Sequence, residues 1–170
     1  NTYTLGYSFG SGITIPGTGI LMNNQMNNFA YRYGDTSVSG RAASPANKFE
    51  AGKRPMSTMT PTMVFNQSGE LTLVTGSPGG SFIPAAVLRV VSGIIDFNLN
   101  IGEATMLPRI HKDWPYSGLD HESILSSDIS RQLGIMGHQP ESQKTMGSTQ
   151  SIHIKNGINY GYADLRRPGA

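Results

Sequence analysis

The chain contains no cysteine and few charged residues, and both absences exclude common kinds of site. Without cysteine there is neither a disulfide framework nor a zinc–thiolate centre. Charged residues make up 14% of the 170 residues, the formal net charge is +2, and the longest basic run is the pair Arg166 and Arg167. Because nucleic-acid binding requires a concentrated basic stripe, we expect no nucleic-acid partner.

Long apolar runs are also absent. No stretch approaches the roughly 20 apolar residues of a membrane-spanning helix, so no membrane span is predicted in this chain. The N-terminal sequence NTYTLGYSFG lacks the basic and then apolar pattern of a signal peptide. If the protein is exported, we expect its signal to lie outside this chain.

Glycine and proline are abundant instead, with 21 glycines and 10 prolines spread along the sequence. This spread predicts one turn-rich domain over residues 1–170. In PTMVFNQSGELTLVTG, the β-prone runs Thr62–Phe65 and 71–75 flank the turn NQSG and predict a hairpin. The runs SIHIK and INYGYA around Asn156 and Gly157 predict a second hairpin.

The remaining elements follow from periodicity and from turn residues. TYTLGYSFGSG is predicted as a strand that runs into a glycine turn, residues 20–22 as a short strand, and the polar residues 30–55 as a lid or an unrecognised element. A helix with Pro84 in its first turn is predicted where apolar residues recur with helical spacing from residue 83 to residue 94, and further helices are predicted over Ile101–Met106 and over 127–136. Strands, then helices, then strands predict an α+β fold, with helices on one face of an antiparallel sheet.

The sequence TGSPGGS, residues 75–81, is a glycine loop between a predicted strand and a predicted helix. It is not a phosphate-binding P-loop, because no Lys follows the last glycine. It is not a G-x-S-x-G nucleophile elbow either, because Thr75 stands where the first glycine should be. Two interpretations remain: an oxyanion hole made by the amides of Gly79 and Gly80, or a tight turn without chemistry.

Other polar stretches are less specific. MNNQMNNF is rich in amides and suits a small polar ligand, although the same residues also cap turns, and KRPMSTMTPT offers hydroxyls after a basic pair. The four histidines are scattered without metal-ligand spacing. We therefore expect no metal site.

A series of motifs resembles the small subunit of the γ-glutamyltranspeptidase family. The matching pieces are TYTL, FGSG, GILMNNQMNNF, GKRPMSTMTPTMVF, LVTGSPGGS, EATMLPRIH and MGSTQSI, in one order from residue 2 to about residue 167. The resemblance implies an N-terminal-nucleophile hydrolase with an αββα sandwich fold, of which this chain forms one part. It also implies a self-cleaved precursor whose large subunit is the partner, no cofactor, and a periplasmic or secreted location.

In that family, an N-terminal threonine attacks the γ-glutamyl carbonyl of glutathione or a related amide, and its own α-amino group is the base. The resemblance assigns the oxyanion hole to Gly79 and Gly80, and assigns to Thr4 a hydroxyl beside the nucleophile. It places Gln25 in the segment that binds the α-amino end of the substrate. Ser57 matches a serine that binds the α-carboxylate, and Thr58 replaces a second such serine but keeps the hydroxyl.

Three departures from the family pattern affect the expected chemistry. TYTL matches the second strand of the small subunit, so the nucleophilic threonine is expected upstream of Asn1, and Thr2 lies in the wrong strand to replace it. Asn28 stands where the family has an aspartate that pairs with the substrate ammonium. Gly6 replaces an asparagine that helps to bind the same end of the substrate.

Three functional hypotheses follow from these observations. The first is an acyl-transfer enzyme that hydrolyses or transpeptidates γ-glutamyl amides through an acyl-threonine intermediate. The second, based on Asn28 and Gly6, is a glutaryl or cephalosporin-type acylase of the same family. The third, based on the unobserved nucleophile, is a catalytically dead relative that binds a small acid.

Overall fold

The computed structural model of the chain describes residues 4–30, 45–113, 117–143 and 145–167. The chain divides into two compact units, a smaller one of residues 1–57 and a larger one of residues 58–170. The larger unit contains seven strands and three α-helices among its described residues: β1 Thr62–Phe65, β2 Leu71–Gly76, α1 Ile83–Ile95, α2 Ile101–Met106, β3 Ile110–His111, β4 Gly118–Glu122, α3 Ser127–Ile135, β5 Gln139–Gln143, β6 Gln150–Lys155 and β7 Ile158–Ala163.

Both predicted hairpins are confirmed, and they form one antiparallel sheet in the order β1-β2-β6-β7. The β1–β2 turn is closed by Asn66, whose Oδ1 accepts hydrogen bonds from the backbone N–H groups of Ser68 and Glu70. The β6–β7 turn places Asn156 at φ 53° and Gly157 at φ 75°. Asparagine and glycine tolerate this left-handed geometry, so the turns were recognisable from sequence.

The three predicted helices are confirmed as well. Helix α1 has Pro84 in its first turn, as predicted. Helix α2 begins with a capping box, in which Asn100 and Glu103 each bind the backbone N–H of the other. Helix α3 is capped by Ser126, and the chain leaves the helix at Met136, just before Gly137.

The core of the larger unit lies between the sheet and the first two helices. Leu73 of β2 packs with Val90 of α1 and with Ile101 and Ala104 of α2, and each of these side chains is buried. Burial of apolar side chains of this kind stabilises the fold by roughly 1.5–3 kcal/mol per large residue. The predicted arrangement of helices against one sheet face is therefore correct.

A second sheet, with the order β3-β4-β5, was not predicted. Strands β4 and β5 are parallel and α3 connects them, whereas β3 and β4 are antiparallel. The sequence of β5, QPESQ, has neither the β-branched residues nor the alternation that indicates a strand. Its pairing depends on a partner that is distant in sequence.

In the smaller unit, the predicted N-terminal strand is wrong over the described residues 4–9, whereas the glycine turn predicted after it is present. Gly6, Gly10 and Gly12 have positive φ values of 93°, 55° and 72°, which lie outside the β region, so this part of the chain turns repeatedly. The predicted strand over residues 20–22 is reduced to one isolated bridge between Thr14 and Leu21. Residues 31–44 of the predicted lid lie outside the described residues.

Candidate active site

The glycine loop, residues 75–81, begins at the end of β2 and leads through a short 3-10 helix, Gly80–Phe82, into α1. Gly79 has φ 140° and Gly80 has φ 61°, and L side chains rarely adopt either geometry. Among the residues that the structure describes, no hydrogen-bond acceptor is found for the backbone N–H of Gly79 or of Gly80. Two adjacent backbone donors at the start of a helix suit a negatively charged oxygen.

Thr58 contacts this loop directly. Its Oγ1 donates a hydrogen bond to the carbonyl oxygen of Gly80 at 2.8 Å. This bond orients the peptide between Gly80 and Ser81. It also commits the hydroxyl proton of Thr58, so donation to a substrate carboxylate requires this bond to be exchanged.

Four buried charged residues lie in the same unit, and sequence reasoning assigned them no role. We call Arg109, Glu122, Asp164 and Arg166 the buried charge cluster. Arg109 Nη2 lies 2.6 Å from Asp164 Oδ2, and Arg166 Nε lies 2.6 Å from Glu122 Oε1. Their side chains are at most 6% exposed. Arginine and aspartate distant in sequence carry no local pattern, so only their burial identifies the cluster.

The charges of this cluster are set by competition between burial and hydrogen bonding. Burial raises the pKa of Asp164, but hydrogen bonds from Arg109 and from the N–H of Thr149 outweigh burial and lower the pKa overall. Burial likewise raises the pKa of Glu122, and hydrogen bonds from Arg166 and from the N–H of Met146 reverse that shift. Both carboxylates are therefore ionised at neutral pH.

In the smaller unit, Asn28 ends the 3-10 helix Gln25–Asn28 and is held by an amide network. Its Nδ2 donates to the carbonyl oxygen of Met56 at 3.1 Å, and its own carbonyl oxygen accepts from Asn47 Nδ2 at 2.6 Å. Asn47 Oδ1 also accepts from the N–H of Met56 at 3.0 Å. Asn28 is thereby placed beside the residue that precedes Ser57.

Thr4 and Gly6 lie at the start of the described chain, next to Leu5 and Tyr7, which are both hydrogen-bonded to Asn24. The N–H of Asn24 donates to the carbonyl oxygen of Leu5 at 2.9 Å, and its Oδ1 accepts from the N–H of Tyr7 at 3.1 Å. A Cβ atom at Gly6 would collide with this same Oδ1. The asparagine found here in the family pattern would therefore require Asn24 to move.

The structure thus groups the predicted site residues in two sets. Thr58, Gly79 and Gly80 are brought together in the larger unit by the hydrogen bond described above. In the smaller unit, Asn28 is hydrogen-bonded to Met56, the residue that precedes Ser57. Thr4 precedes Leu5 and Gln25 follows Asn24, and the backbones of Leu5 and Asn24 are hydrogen-bonded to each other.

Comparison with known proteins gives a consistent result. A sequence model of the gamma-glutamyltranspeptidase family matches residues 1–170. The glutathione hydrolase proenzyme of Escherichia coli (strain K12) is 43% identical over 166 residues, covering 97% of this chain and 28% of that protein. A mutant of Helicobacter pylori gamma-glutamyltranspeptidase superimposes with a TM-score of 0.89 and 39% identity, covering 98% of this chain and 92% of that chain. Cephalosporin acylase from Bacillus halodurans has a TM-score of 0.74 and 28% identity, covering 92% of this chain and 28% of that chain.

These findings confirm the predicted fold class, an α+β N-terminal-nucleophile hydrolase of the αββα type. The chain spans 28% of the length of the Escherichia coli and Pseudomonas aeruginosa relatives, both of which are named as proenzymes. None of the described helices is long and apolar enough to cross a membrane. The roles of the individual site residues stay predictions.

Proposed function

The chain belongs to the gamma-glutamyltranspeptidase family, and from that premise we propose that it is the catalytic small subunit of an enzyme that cleaves γ-glutamyl amides such as glutathione. The reaction is acyl transfer, with water or an amino acid as acceptor. The nucleophile is a threonine upstream of Asn1. Its hydroxyl attacks the γ-carbonyl, and its α-amino group takes the hydroxyl proton and passes it to the departing amine.

The single observation that supports this chemistry is the pair of adjacent N–H groups of Gly79 and Gly80. The attacked carbonyl oxygen becomes negatively charged in the tetrahedral intermediate, and fixed donors stabilise it more than they stabilise the ground state. Removing one such donor typically raises the barrier by about 3–4 kcal/mol. Neither amide has an acceptor within the described chain, so both are available for this role.

Binding of the γ-glutamyl head group is assigned to the smaller unit and to Thr58. We propose that Ser57 and Thr58 bind the α-carboxylate, because hydroxyl donation to a carboxylate is charge-assisted. Gln25 and Asn28 bind the α-amino end, and Thr4 assists the nucleophile. Asn28 retains an oxygen acceptor there, since its Nδ2 already donates to Met56.

The partner of this subunit is proposed to be the large subunit of the same precursor. The sheet face opposite Leu73 presents a row of cross-strand neighbours, Met63, Val74 and Ile152. Met63 is 64% exposed and Ile152 is 45% exposed. Apolar sheet faces of this kind are normally covered by another layer of structure, so we expect the isolated chain to aggregate and the co-expressed subunits to remain in solution.

Two measurements on the native enzyme test this function. The first is the intact mass and N-terminal sequence of the small subunit, which should begin with a threonine upstream of Asn1. The second is release of p-nitroaniline from γ-glutamyl-p-nitroanilide, which should proceed through a burst if the acyl-enzyme accumulates. A native chain that begins at Asn1, and that binds small acids without releasing amine, would establish the catalytically dead relative instead.

A glutaryl or cephalosporin-type acylase is the second candidate, and Asn28 is the observation that favours it. A neutral amide cannot form the ion pair with a substrate ammonium that an aspartate forms, and the fold likeness extends to a cephalosporin acylase. Faster turnover of glutaryl-p-nitroanilide than of γ-glutamyl-p-nitroanilide would support this candidate. Either enzyme is proposed to be periplasmic or secreted, which fractionation of the source cells tests.

A further inference from the structure

A short segment of the larger unit, residues 146–149, lies directly behind the glycine loop. Gly147 has φ 74°, and its Cα lies 3.0 Å from the position that a Cβ of Gly79 would occupy. A Cβ on Gly147 would in turn lie 2.6 Å from Ser77 Oγ and 3.0 Å from the carbonyl oxygen of Pro78. The two glycines therefore permit a backbone-to-backbone contact that side chains at either position would prevent.

A hydroxyl group joins the two segments at the same place. Ser77 Oγ accepts a hydrogen bond from the N–H of Ser148 at 3.0 Å and donates one to the carbonyl oxygen of Pro78 at 2.7 Å. Ser77 precedes Gly79 by only two residues. The 146–149 segment is thus bonded to the loop whose amides are proposed to form the oxyanion hole.

The opposite side of the 146–149 segment is fixed by the buried charge cluster. Glu122 Oε1 accepts from the N–H of Met146 at 3.0 Å, and Arg109 Nη1 donates to the carbonyl oxygen of Met146 at 2.6 Å. Asp164 Oδ2 accepts from the N–H of Thr149 at 2.7 Å. Hydrogen bonds to buried ionised groups are short and strong, so both ends of the segment are held in one position.

We propose that the 146–149 segment, anchored by the buried charge cluster, is the positioning element of the glycine loop, acting through Ser77 and Gly147 on the amides of Gly79 and Gly80. Ser77, Gly147 and the cluster residues are positioning residues, because none of them is proposed to touch the reacting atoms. This inference rests on the proposed function only for its kinetic consequence. Glycine-rich backbone has many accessible conformations, and stabilisation of an oxyanion requires donors that are already in place.

The kinetic test compares two glycine variants of the assembled enzyme. Gly147→Ala introduces a Cβ against Ser77 and Pro78, whereas the control Gly157→Ala has the same kind of backbone geometry, φ 75°, and no heavy atom within 4 Å of the new Cβ. We expect kcat for γ-glutamyl-p-nitroanilide to fall at least about tenfold in Gly147→Ala with KM changed less than about threefold, because the oxyanion forms only in the reaction. The control should retain kcat within about twofold.

A second variant separates loop positioning from folding. Ser77→Ala removes the hydroxyl link and leaves the buried charge cluster intact, and it should lower kcat about threefold to tenfold without a matching change in KM. Hydrogen exchange of the peptide that contains Gly79 and Gly80, measured by mass spectrometry, should be faster in Ser77→Ala and in Gly147→Ala than in Gly157→Ala. If Gly147→Ala does not assemble, Ser77→Ala decides the matter alone.

The two readouts distinguish the failure of this inference from the failure of the proposed function. Unchanged exchange at the glycine loop in Ser77→Ala would overturn the inference, whatever the activity of the enzyme. Faster exchange in an enzyme whose wild type does not turn over γ-glutamyl amides would support the positioning role and contradict the proposed function. A fall in kcat accompanied by an equal rise in KM would indicate a general disturbance and would also overturn the inference.

Discussion

The glycine loop and the segment around Asn28, the proposed head-group region, are held in place by different means. In the larger unit, the loop follows strand β2, precedes a helix with a packed face, and is bonded to a segment that Arg109, Glu122 and Asp164 hold by hydrogen bonds. In the smaller unit, Phe29 and Ala30 are the buried residues among the described positions 4–30 and 45–57. The region around Asn28 is held by side-chain amides and turns.

This difference matches the proposed roles of the two regions, because stabilising a transition state and selecting a substrate require different degrees of rigidity. An oxyanion hole must be rigid before the substrate arrives, because reorganisation during the reaction reduces its effect. A head-group site determines which substrate binds, and a few amide or hydroxyl groups on a lightly packed segment are sufficient for that. Substitutions near the loop should therefore affect stability and kcat, whereas substitutions near Asn28 should affect substrate preference.

The largest expected effect comes from removing one partner of the buried charge cluster. Arg109→Met leaves Asp164 without its closest cation and Met146 without its donor. We expect the free energy of unfolding of the assembled enzyme to fall by about 3–5 kcal/mol, as is typical when one member of a buried ion pair is removed. Chemical denaturation would measure it.

The matched control is Arg131→Met in α3, whose ion pair with Asp128 has side chains that are 64% and 84% exposed. Exposed pairs contribute little, so this variant should change the free energy of unfolding by less than about 1 kcal/mol. Similar losses in both variants would contradict the special role assigned to the buried charge cluster.

A smaller effect, on preference rather than stability, is expected from Asn28→Asp. The new carboxylate can pair with a substrate ammonium, and it gives up the hydrogen bond from Nδ2 to the carbonyl oxygen of Met56. The ratio of kcat/KM for γ-glutamyl-p-nitroanilide to that for glutaryl-p-nitroanilide should rise about tenfold, equivalent to about 1.4 kcal/mol. Asn27→Asp adds the same charge one residue away and should leave the ratio nearly unchanged; an unchanged ratio in Asn28→Asp itself would exclude Asn28 from the head-group site.

The smallest effect on the free energy of unfolding is expected from a change of pH within the neutral range. A larger decrease is expected only in acid. The pKa values of Asp164 and Glu122 are lower in the folded enzyme than in the unfolded chain, so the unfolded chain takes up protons first as the pH falls. Their contribution to stability is therefore complete above the unfolded pKa values of about 4 and is lost as the pH falls through the folded values. Denaturation curves measured between pH 7 and pH 3 should show this decline in stability. The decline should be smaller in Arg109→Met, because the pKa of Asp164 is lowered less without the arginine. A decline of the same size in that variant would contradict this account.

Local signals predicted much of the larger unit. Asn156 and Gly157 specify a turn by their own backbone preferences, and the apolar spacing of α1 specifies a helix that buries one face. The second sheet was missed because β5 is polar and pairs with β4 across a helix. The predicted N-terminal strand is wrong because Gly6, Gly10 and Gly12 adopt positive φ values, which the alternation of the sequence does not reveal.

Local preferences of the residues were enough to predict the turns and the helices, and the series of motifs was enough to indicate the family. The sequence also indicated that Gly79 and Gly80 were unusual, since glycine is needed where another group must approach the backbone closely. Only the tertiary structure revealed that Arg109 and Asp164, 55 residues apart, share a hydrogen bond, and that Gly147 lies against Gly79. The reason is physical: turn and helix preferences act over a few residues, whereas the burial of a charge and the contact of two backbones exist only after distant parts of the chain have packed together.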